Sequence, residues 1–207
     1  MRQDSALVLI EYQNEWLDPA GKLRFLLQDL PQFDAALNAS KVALASARSA
    51  GMRVVHMGLH LSPDHRELGG LGAAKHGLRG AIPRAGSWRT NETGHLHPEP
   101  FAPRDNEFEG AGRTGGSVFA GTNLDIYLRN QGVRQVYLMG FALHVCVLAS
   151  LCAGHDLGYE MAVLEDCCAA FTAPQRQFML EDIVHHFGER VNNDEFLRRL
   201  RGRPAAV

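Results

Sequence analysis

Residues 134–158 read RQVYLMGFALHVCVLASLCAGHDLG. The apolar run from Val136 to Met139 leads into a short turn, and from Val145 onward the pattern predicts a helix that ends near Gly158. A buried strand followed at once by a helix is one half of a βαβ unit. This stretch therefore predicts a parallel sheet covered by helices.

Cys146 lies where the turn meets the predicted helix. In the first turn of a helix, the free backbone N–H groups and the positive end of the dipole favour an anion, so a thiolate would be stabilised there. Cysteine is also among the most frequently buried residue types. Position alone therefore leaves open both a reactive thiol and a packed core cysteine.

The same alternation of strands and helices runs along the rest of the chain. Further strands are predicted at Ala6–Ile10, Arg53–Met57, Glu107–Glu109, Glu160–Glu165 and around Val191. Further helices are predicted from Asp34 to Gly51, from Thr122 as N-cap to Gly132, from Pro174 to Gly188 with Phe178 facing inward, and from Asp194 to Arg201. We expect one domain over residues 1–207, an α/β fold with a doubly wound, mainly parallel sheet of about six strands. Residues 60–106 are expected to form a loop-rich insertion over its open end.

The composition limits the binding partners that the protein is expected to have and indicates its cellular compartment. With 21 Lys+Arg against 23 Asp+Glu, the net charge of -2 provides no general attraction to nucleic acid or to an acidic membrane. No apolar run approaches the roughly 20 residues that a membrane span needs, and the first residues lack a signal-peptide pattern. The cysteines have no CxxC spacing and suggest reduced thiols in a cytoplasmic protein: Cys146, Cys152, Cys167 and Cys168.

Glu11 directly follows the first predicted strand. The carboxyl ends of parallel strands open into one crevice, so Glu11 could face Cys146 and accept its proton. A solvated carboxylate at a strand end is the alternative, and spacing alone favours it.

Two other kinds of site are poorly supported. The glycine-rich residues 109–125 match neither GxxxxGK[ST] nor GxGxxG, which argues against a phosphate or dinucleotide loop. His56, His60 and His65 have no known ligand spacing, so surface or hydrogen-bonded histidines are favoured over a metal site.

Three ordered segments carry a family resemblance. They are ALVLIEYQNEW at 6–16, SVFAGTNLDIYLRNQGVRQVYLMGFALHVCVLAS at 117–150, and GYEMAVLEDCCAAF at 158–171. Together they resemble the isochorismatase-like cysteine hydrolases, and look most similar to the streptothricin-hydrolase-like branch. The resemblance covers most of the chain outside residues 60–106. It implies a doubly wound α/β fold, a homo-oligomer, and a triad of an acid, a basic residue and a nucleophilic cysteine.

The resemblance also implies a role for individual residues. Cys146 matches the nucleophile, Glu11 stands where the family usually has Asp, and Arg113 stands where it usually has Lys. The N–H groups of Ala142 and Cys146 would form the oxyanion hole, with Ala142 following a cis peptide after Phe141. Arg keeps the positive charge of Lys but cannot donate its proton at usable pH.

Two further expectations concern the pocket and a metal. His144 replaces a more usual Asp or Asn, and it joins Trp16 as a candidate for the substrate-pocket wall. The related nicotinamidases carry the pattern DxHPxxH, whereas here Gly58 stands in the Asp position before His60. We therefore predict no catalytic metal and no cofactor.

The combined prediction is a cysteine hydrolase that cleaves an amide or related C–N bond of a small-molecule substrate through a thioester. Relatives that hydrolyse isochorismate lack the cysteine, which favours C–N over vinyl-ether cleavage. The alternative is an altered or inactive relative that binds a small ligand. A thiol redox protein is disfavoured because no second cysteine is suitably spaced from Cys146.

Overall fold

The computed structural model describes residues 4–69 and 76–202, and a parallel sheet forms its centre. The strands are β1 (Ser5–Ile10), β2 (Arg53–Met57), β3 (Phe108–Glu109), β4 (Gln135–Phe141), β5 (Glu160–Ala169) and β6 (Glu189–Val191). Their order across the sheet is β3-β2-β1-β4-β5-β6, and every neighbouring pair is parallel. The predicted α/β fold with a doubly wound parallel sheet of about six strands is confirmed.

Helices cover both faces of this sheet. They are α1 (Asn14–Leu17), α2 (Leu30–Ser49), α3 (Gly77–Ala85), α4 (Leu124–Asn130), α5 (Leu148–Asp156), α6 (Ala173–Phe178) and α7 (Asn193–Arg201). Within the described ranges, no helix is both long and apolar enough to cross a membrane.

The central strand β1 shows why its apolar run is continuous. Leu7 and Leu9 pack into a cluster with side chains of α2 and α7, whereas Val8 and Ile10 pack into a second cluster with side chains of α4 and α5. All four are fully buried, and each burial of this size stabilises the fold by about 1.5–3 kcal/mol.

The switch in strand order positions the site. Strands β1 and β4 are neighbours, with Ile10 opposite Gly140, and the crossovers lead away from them in opposite directions. In such sheets, ligands bind beyond the carboxyl ends of the two strands at the switch. Glu11 and the turn after Phe141 therefore lie side by side.

Two predicted helix starts are wrong. Helix α2 begins at Leu30 rather than Asp34, because Asp29 caps it by accepting from the backbone N–H of Gln32 and Pro31 is compatible with a first turn. Helix α4 starts at Leu124, and the predicted cap residue Thr122 accepts a hydrogen bond at Oγ1 from the backbone N–H of Leu124 at 3.2 Å.

The helix predicted from Val145 starts differently as well. A π-helical turn (Leu143–Val147) precedes α5. After α6, a second π turn (Met179–Ile183) and a 3₁₀ turn (Val184–His186) replace a regular helix. Phe178 is consequently 56% exposed, and its predicted inward orientation is wrong.

The predicted insertion at 60–106 contains more structure than expected. It includes a 3₁₀ turn (Arg66–Leu68) and helix α3, while residues 70–75 lie outside the described part.

Strand β5 runs past its predicted end at Glu165, with an irregular register against β4 between Leu138 and Gly140.

Candidate active site

Glu11 is the first residue after β1 and is fully buried, with a left-handed backbone (φ 61°). Its Oε1 accepts a hydrogen bond from Nη2 of Arg113 at 2.5 Å. Its Oε2 accepts one from Nε1 of Trp16 at 2.8 Å. The alternative of a solvated strand-end carboxylate is therefore wrong, because both oxygens are held inside the protein.

Arg113 is buried beside Glu11 and held from several sides. Its guanidinium donates to the carbonyl oxygens of Met57 at 2.8 Å, Gly115 at 3.1 Å and Gly116 at 3.0 Å. Burial is the largest single influence and lowers the pKa of Arg113, but Glu11 and Cys146 together act in the opposite direction and hold the pKa above its usual value. The structure thus places a fixed cation next to the carboxylate.

Cys146 lies in the π turn after β4 and is only 6% exposed. Its thiol interacts with both Glu11 and Arg113. Burial raises the pKa of the Cys146 thiol, the charge of Glu11 raises it further, and Arg113 acts in the opposite direction. The resting group is therefore a neutral thiol. The start of the helix favours a thiolate, whereas burial and the charge of Glu11 act in the opposite direction.

The turn between β4 and Cys146 is tightly shaped. The Phe141–Ala142 peptide bond is cis, as the resemblance implied. The carbonyl oxygen of Ala142 accepts from the N–H groups of Val145 at 3.0 Å and Val147 at 3.2 Å. Ala142 and Cys146 are consequently held on the same turn, next to the Glu11 carboxylate.

The two candidate pocket residues belong to one aromatic group. Ring centroids are 6.0 Å apart between Trp16 and Phe171, 6.3 Å between Trp16 and Trp88, and 4.6 Å between His144 and Phe171. Burial lowers the pKa of His144, so its imidazole is neutral at neutral pH. Sequence reasoning missed Phe171 and Trp88, because no spacing pattern connects them with the triad.

Comparisons with known proteins show the family of this chain. A model of the isochorismatase domain matches residues 5–195. The chain belongs to the isochorismatase domain family. A ureidoacrylate amidohydrolase (RutB) of Caulobacter segnis is 30% identical over 175 residues, covering 78% of this chain and 71% of the relative. A second ureidoacrylate amidohydrolase, from Azorhizobium caulinodans, is 27% identical and covers 79% and 75%.

Solved structures show the same isochorismatase-like fold. A cysteine hydrolase from Pseudomonas syringae pv. phaseolicola superposes with a TM-score of 0.81 at 20% identity, covering 97% of this chain and 93% of the other. N-carbamoylsarcosine amidase from Thermoplasma acidophilum gives a TM-score of 0.71 at 22% identity, covering 93% and 98%. At these identities the likeness supports the fold.

A pocket of about 460 Å³ opens beside Arg113 of this isochorismatase-family protein. His60, Glu67, Glu109 and residues 110–114 line it, and Arg113 is part of that wall. The pocket therefore borders the triad on the side that Arg113 forms.

The histidines named in the sequence have separate environments. His56 is fully buried, with Nε2 2.8 Å from Oε2 of Glu107, and His65 places Nε2 2.9 Å from the carbonyl oxygen of Ser87. These two are hydrogen-bonded, as predicted. His60 instead lies beside His97, a residue that the sequence did not single out.

Proposed function

We propose that this isochorismatase-family protein is a cysteine hydrolase that cleaves an amide or related non-peptide C–N bond of a small molecule through a thioester intermediate. The observation that carries the proposal is the buried contact of Glu11 with both the Cys146 thiol and Arg113. The names of the relatives, ureidoacrylate amidohydrolase and N-carbamoylsarcosine amidase, support C–N hydrolysis. A homo-oligomer and a cytoplasmic location stay predictions.

The first step forms the thioester precursor. Because Cys146 rests as a thiol, Glu11 takes its proton while the sulfur attacks the substrate carbonyl carbon. The new C–S bond forms as the carbonyl electron pair moves onto oxygen. Backbone N–H groups of Ala142 and Cys146 hold this oxyanion.

The remaining steps return every group to its starting state. The C–N bond breaks, Glu11 gives its proton to the leaving nitrogen, and the acyl group stays on Cys146 as a thioester. Glu11 then takes a proton from water as the water oxygen attacks the thioester carbon. The C–S bond breaks and the carboxylic acid product leaves. Glu11 then returns its proton to the sulfur of Cys146.

Arg113 and Trp16 position the acid rather than exchange protons with it. The guanidinium keeps its charge at every usable pH, so it orients Oε1 of Glu11 and stabilises negative charge on the sulfur. The Trp16 indole holds Oε2. His144 remains a candidate for the pocket wall, where it packs edge-on against Phe171.

Cys146→Ser is expected to remove turnover, because an alcohol beside Glu11 is a far weaker nucleophile than a thiol. Turnover of a panel of small amides, ureas and lactams measures this, and mass spectrometry of the quenched wild type should show an acyl adduct on Cys146. Cys152→Ser is the matched control, since Cys152 lies in α5 outside the triad. Undiminished turnover in Cys146→Ser would contradict the proposal.

A second candidate function follows from Arg113, which cannot relay a proton as Lys can. If the site does not hydrolyse its ligand for this reason, the chain binds a small molecule at the same crevice without acylation of Cys146. This function would be favoured over hydrolysis if a small ligand stabilises the folded protein but leaves no adduct on Cys146 and is not turned over.

Trp16→Phe is expected to lower kcat about tenfold to a hundredfold. The ring packing stays, but Oε2 of Glu11 loses its donor inside the protein, a change worth about 1–3 kcal/mol.

The control for Trp16→Phe is Trp88→Phe. Nε1 of Trp88 is buried and has no hydrogen-bond partner in the described part of the chain, so this variant removes an indole N–H that holds no carboxylate. Equal losses of kcat in the two variants would show that Trp16 acts through packing alone.

A further inference from the structure

Two side chains that line the pocket beside Arg113, His60 and Glu109, meet a third side chain, His97. Nε2 of His60 lies 3.3 Å, and Nε2 of His97 lies 3.7 Å, from Oε1 of Glu109. One ligand atom from each residue lies within 4.8 Å of the other two. We propose that His60, His97 and Glu109 bind a first-row divalent cation such as Zn²⁺.

Both imidazoles present a nitrogen that requires a partner. Nε2 of His60 and Nε2 of His97 are buried, and neither has a hydrogen-bond partner within residues 4–69 and 76–202. The His97 side chain is only 3% exposed, so water reaches it poorly. Buried polar atoms are almost always satisfied in folded proteins. One cation would satisfy both nitrogens at once.

The orientation of His97 suits a metal ligand. Its Nδ1 lies 2.9 Å from the carbonyl oxygen of Tyr12, which can only accept, so Nδ1 carries the proton. Nε2 is then the atom with the free lone pair, and it faces Glu109. Metal-bound histidines are commonly fixed in this way, by a backbone carbonyl on the nitrogen that does not bind the ion.

The separations match coordination better than ion pairing. Ligand atoms about 2.1 Å from a tetrahedral ion lie about 3.4 Å from one another. A hydrogen bond between a charged imidazole and a carboxylate would instead be about 2.7–2.9 Å long. The distances of 3.3 and 3.7 Å from Glu109 are those of neighbouring ligands around one ion.

The ligand set differs from the pattern that led us to predict no metal. That prediction followed from Gly58, which stands where the nicotinamidase pattern has Asp. Here the carboxylate comes from Glu109 at the end of β3, and His97 comes from the long insertion. Two imidazoles and a carboxylate form a nitrogen and oxygen set that suits Zn²⁺ and other first-row ions.

The position of the site links it to the pocket. His60 and Glu109 line the same pocket as Arg113, so an ion bound there is reached by small molecules from solvent. Contact between the ion and an oxygen of the substrate rests on the proposed function. Binding of the ion itself does not.

Direct binding tests the proposal. Full-length protein treated with a chelator is titrated with Zn²⁺ by calorimetry and with Co²⁺ by visible absorption. One ion should bind per chain, and Co²⁺ should develop the d–d bands of a histidine-ligated ion. His97→Gln and Glu109→Gln should each weaken the affinity for both ions at least tenfold.

Two controls separate this site from other ligands. His155→Gln removes a half-exposed histidine outside the set, and Cys146→Ser removes the nearby thiol; both should bind the ions as the wild type does. Cys146→Ser should still lose turnover, so a failure of the metal site and a failure of the proposed hydrolysis give different results.

Circular dichroism and thermal melting establish that each variant is folded. Glu109 is half-exposed, so Glu109→Gln keeps the test valid if His97→Gln unfolds. The proposal is overturned if the folded wild type binds neither ion saturably, or if His97→Gln and Glu109→Gln bind both ions as tightly as the wild type.

Discussion

Glu11→Gln is expected to lower turnover by a factor of about a hundred to ten thousand, the usual contribution of a general base, and to make Cys146 alkylate faster. The two effects have one cause. After burial, the charge of Glu11 is the main factor that raises the pKa of the Cys146 thiol, whereas Arg113 lowers it. Removing the carboxylate charge leaves only burial to oppose Arg113, so the thiol pKa falls relative to the wild type and the thiolate fraction near neutral pH rises.

The measurement is the rate of iodoacetamide alkylation against pH, in a Cys152→Ser background that removes the partly exposed cysteine. Its midpoint should lie at lower pH in Glu11→Gln than in the parent. Glu11→Asp serves as the control, because it keeps the charge and shortens the side chain by one methylene. If Glu11→Gln alkylates more slowly than the parent, Glu11 does not control the thiol proton.

Parts of this site could be predicted from the sequence because strand ends are predictable. Apolar runs that are buried on both faces predicted β1 and β4. Glu11 and Cys146 follow these strands in the chain, so they had to meet if the strands were neighbours. Arg113 came from the resemblance instead, since its glycine-rich segment has no periodicity. The raised pKa of the Cys146 thiol could not be predicted from its position at a helix start, because it depends on burial and on a carboxylate 135 positions away in the chain.

Long-range packing explains what the sequence did not show. Phe171 reaches the aromatic group only because β5 and the turn after it lie beside the site, and Trp88 adopts a left-handed backbone (φ 56°) within the insertion. The cluster of His97 with Glu109 likewise joins the insertion to β3. Such contacts leave no local pattern in the chain, whereas apolar strands do.

Arg113→Met is expected to be the most destabilising change in the site, at about 3–5 kcal/mol. It removes the partner of a fully buried carboxylate and leaves that charge uncompensated. Met fills a similar volume, so packing is largely kept. Without the cation, the pKa of the Cys146 thiol should rise further, and its alkylation midpoint should move to higher pH, opposite to the shift in Glu11→Gln. Urea unfolding and the alkylation profile measure the two effects.

Arg113→Lys and a double variant separate charge from shape. Lys keeps the charge, but its single ammonium cannot reproduce the contacts that the guanidinium makes to Glu11 and three carbonyl oxygens. Stability should therefore lie between the wild type and Arg113→Met. Glu11→Gln combined with Arg113→Met should be more stable than Arg113→Met alone, since neither buried charge remains. Additive losses in the double variant would mean that the two side chains do not act as a pair.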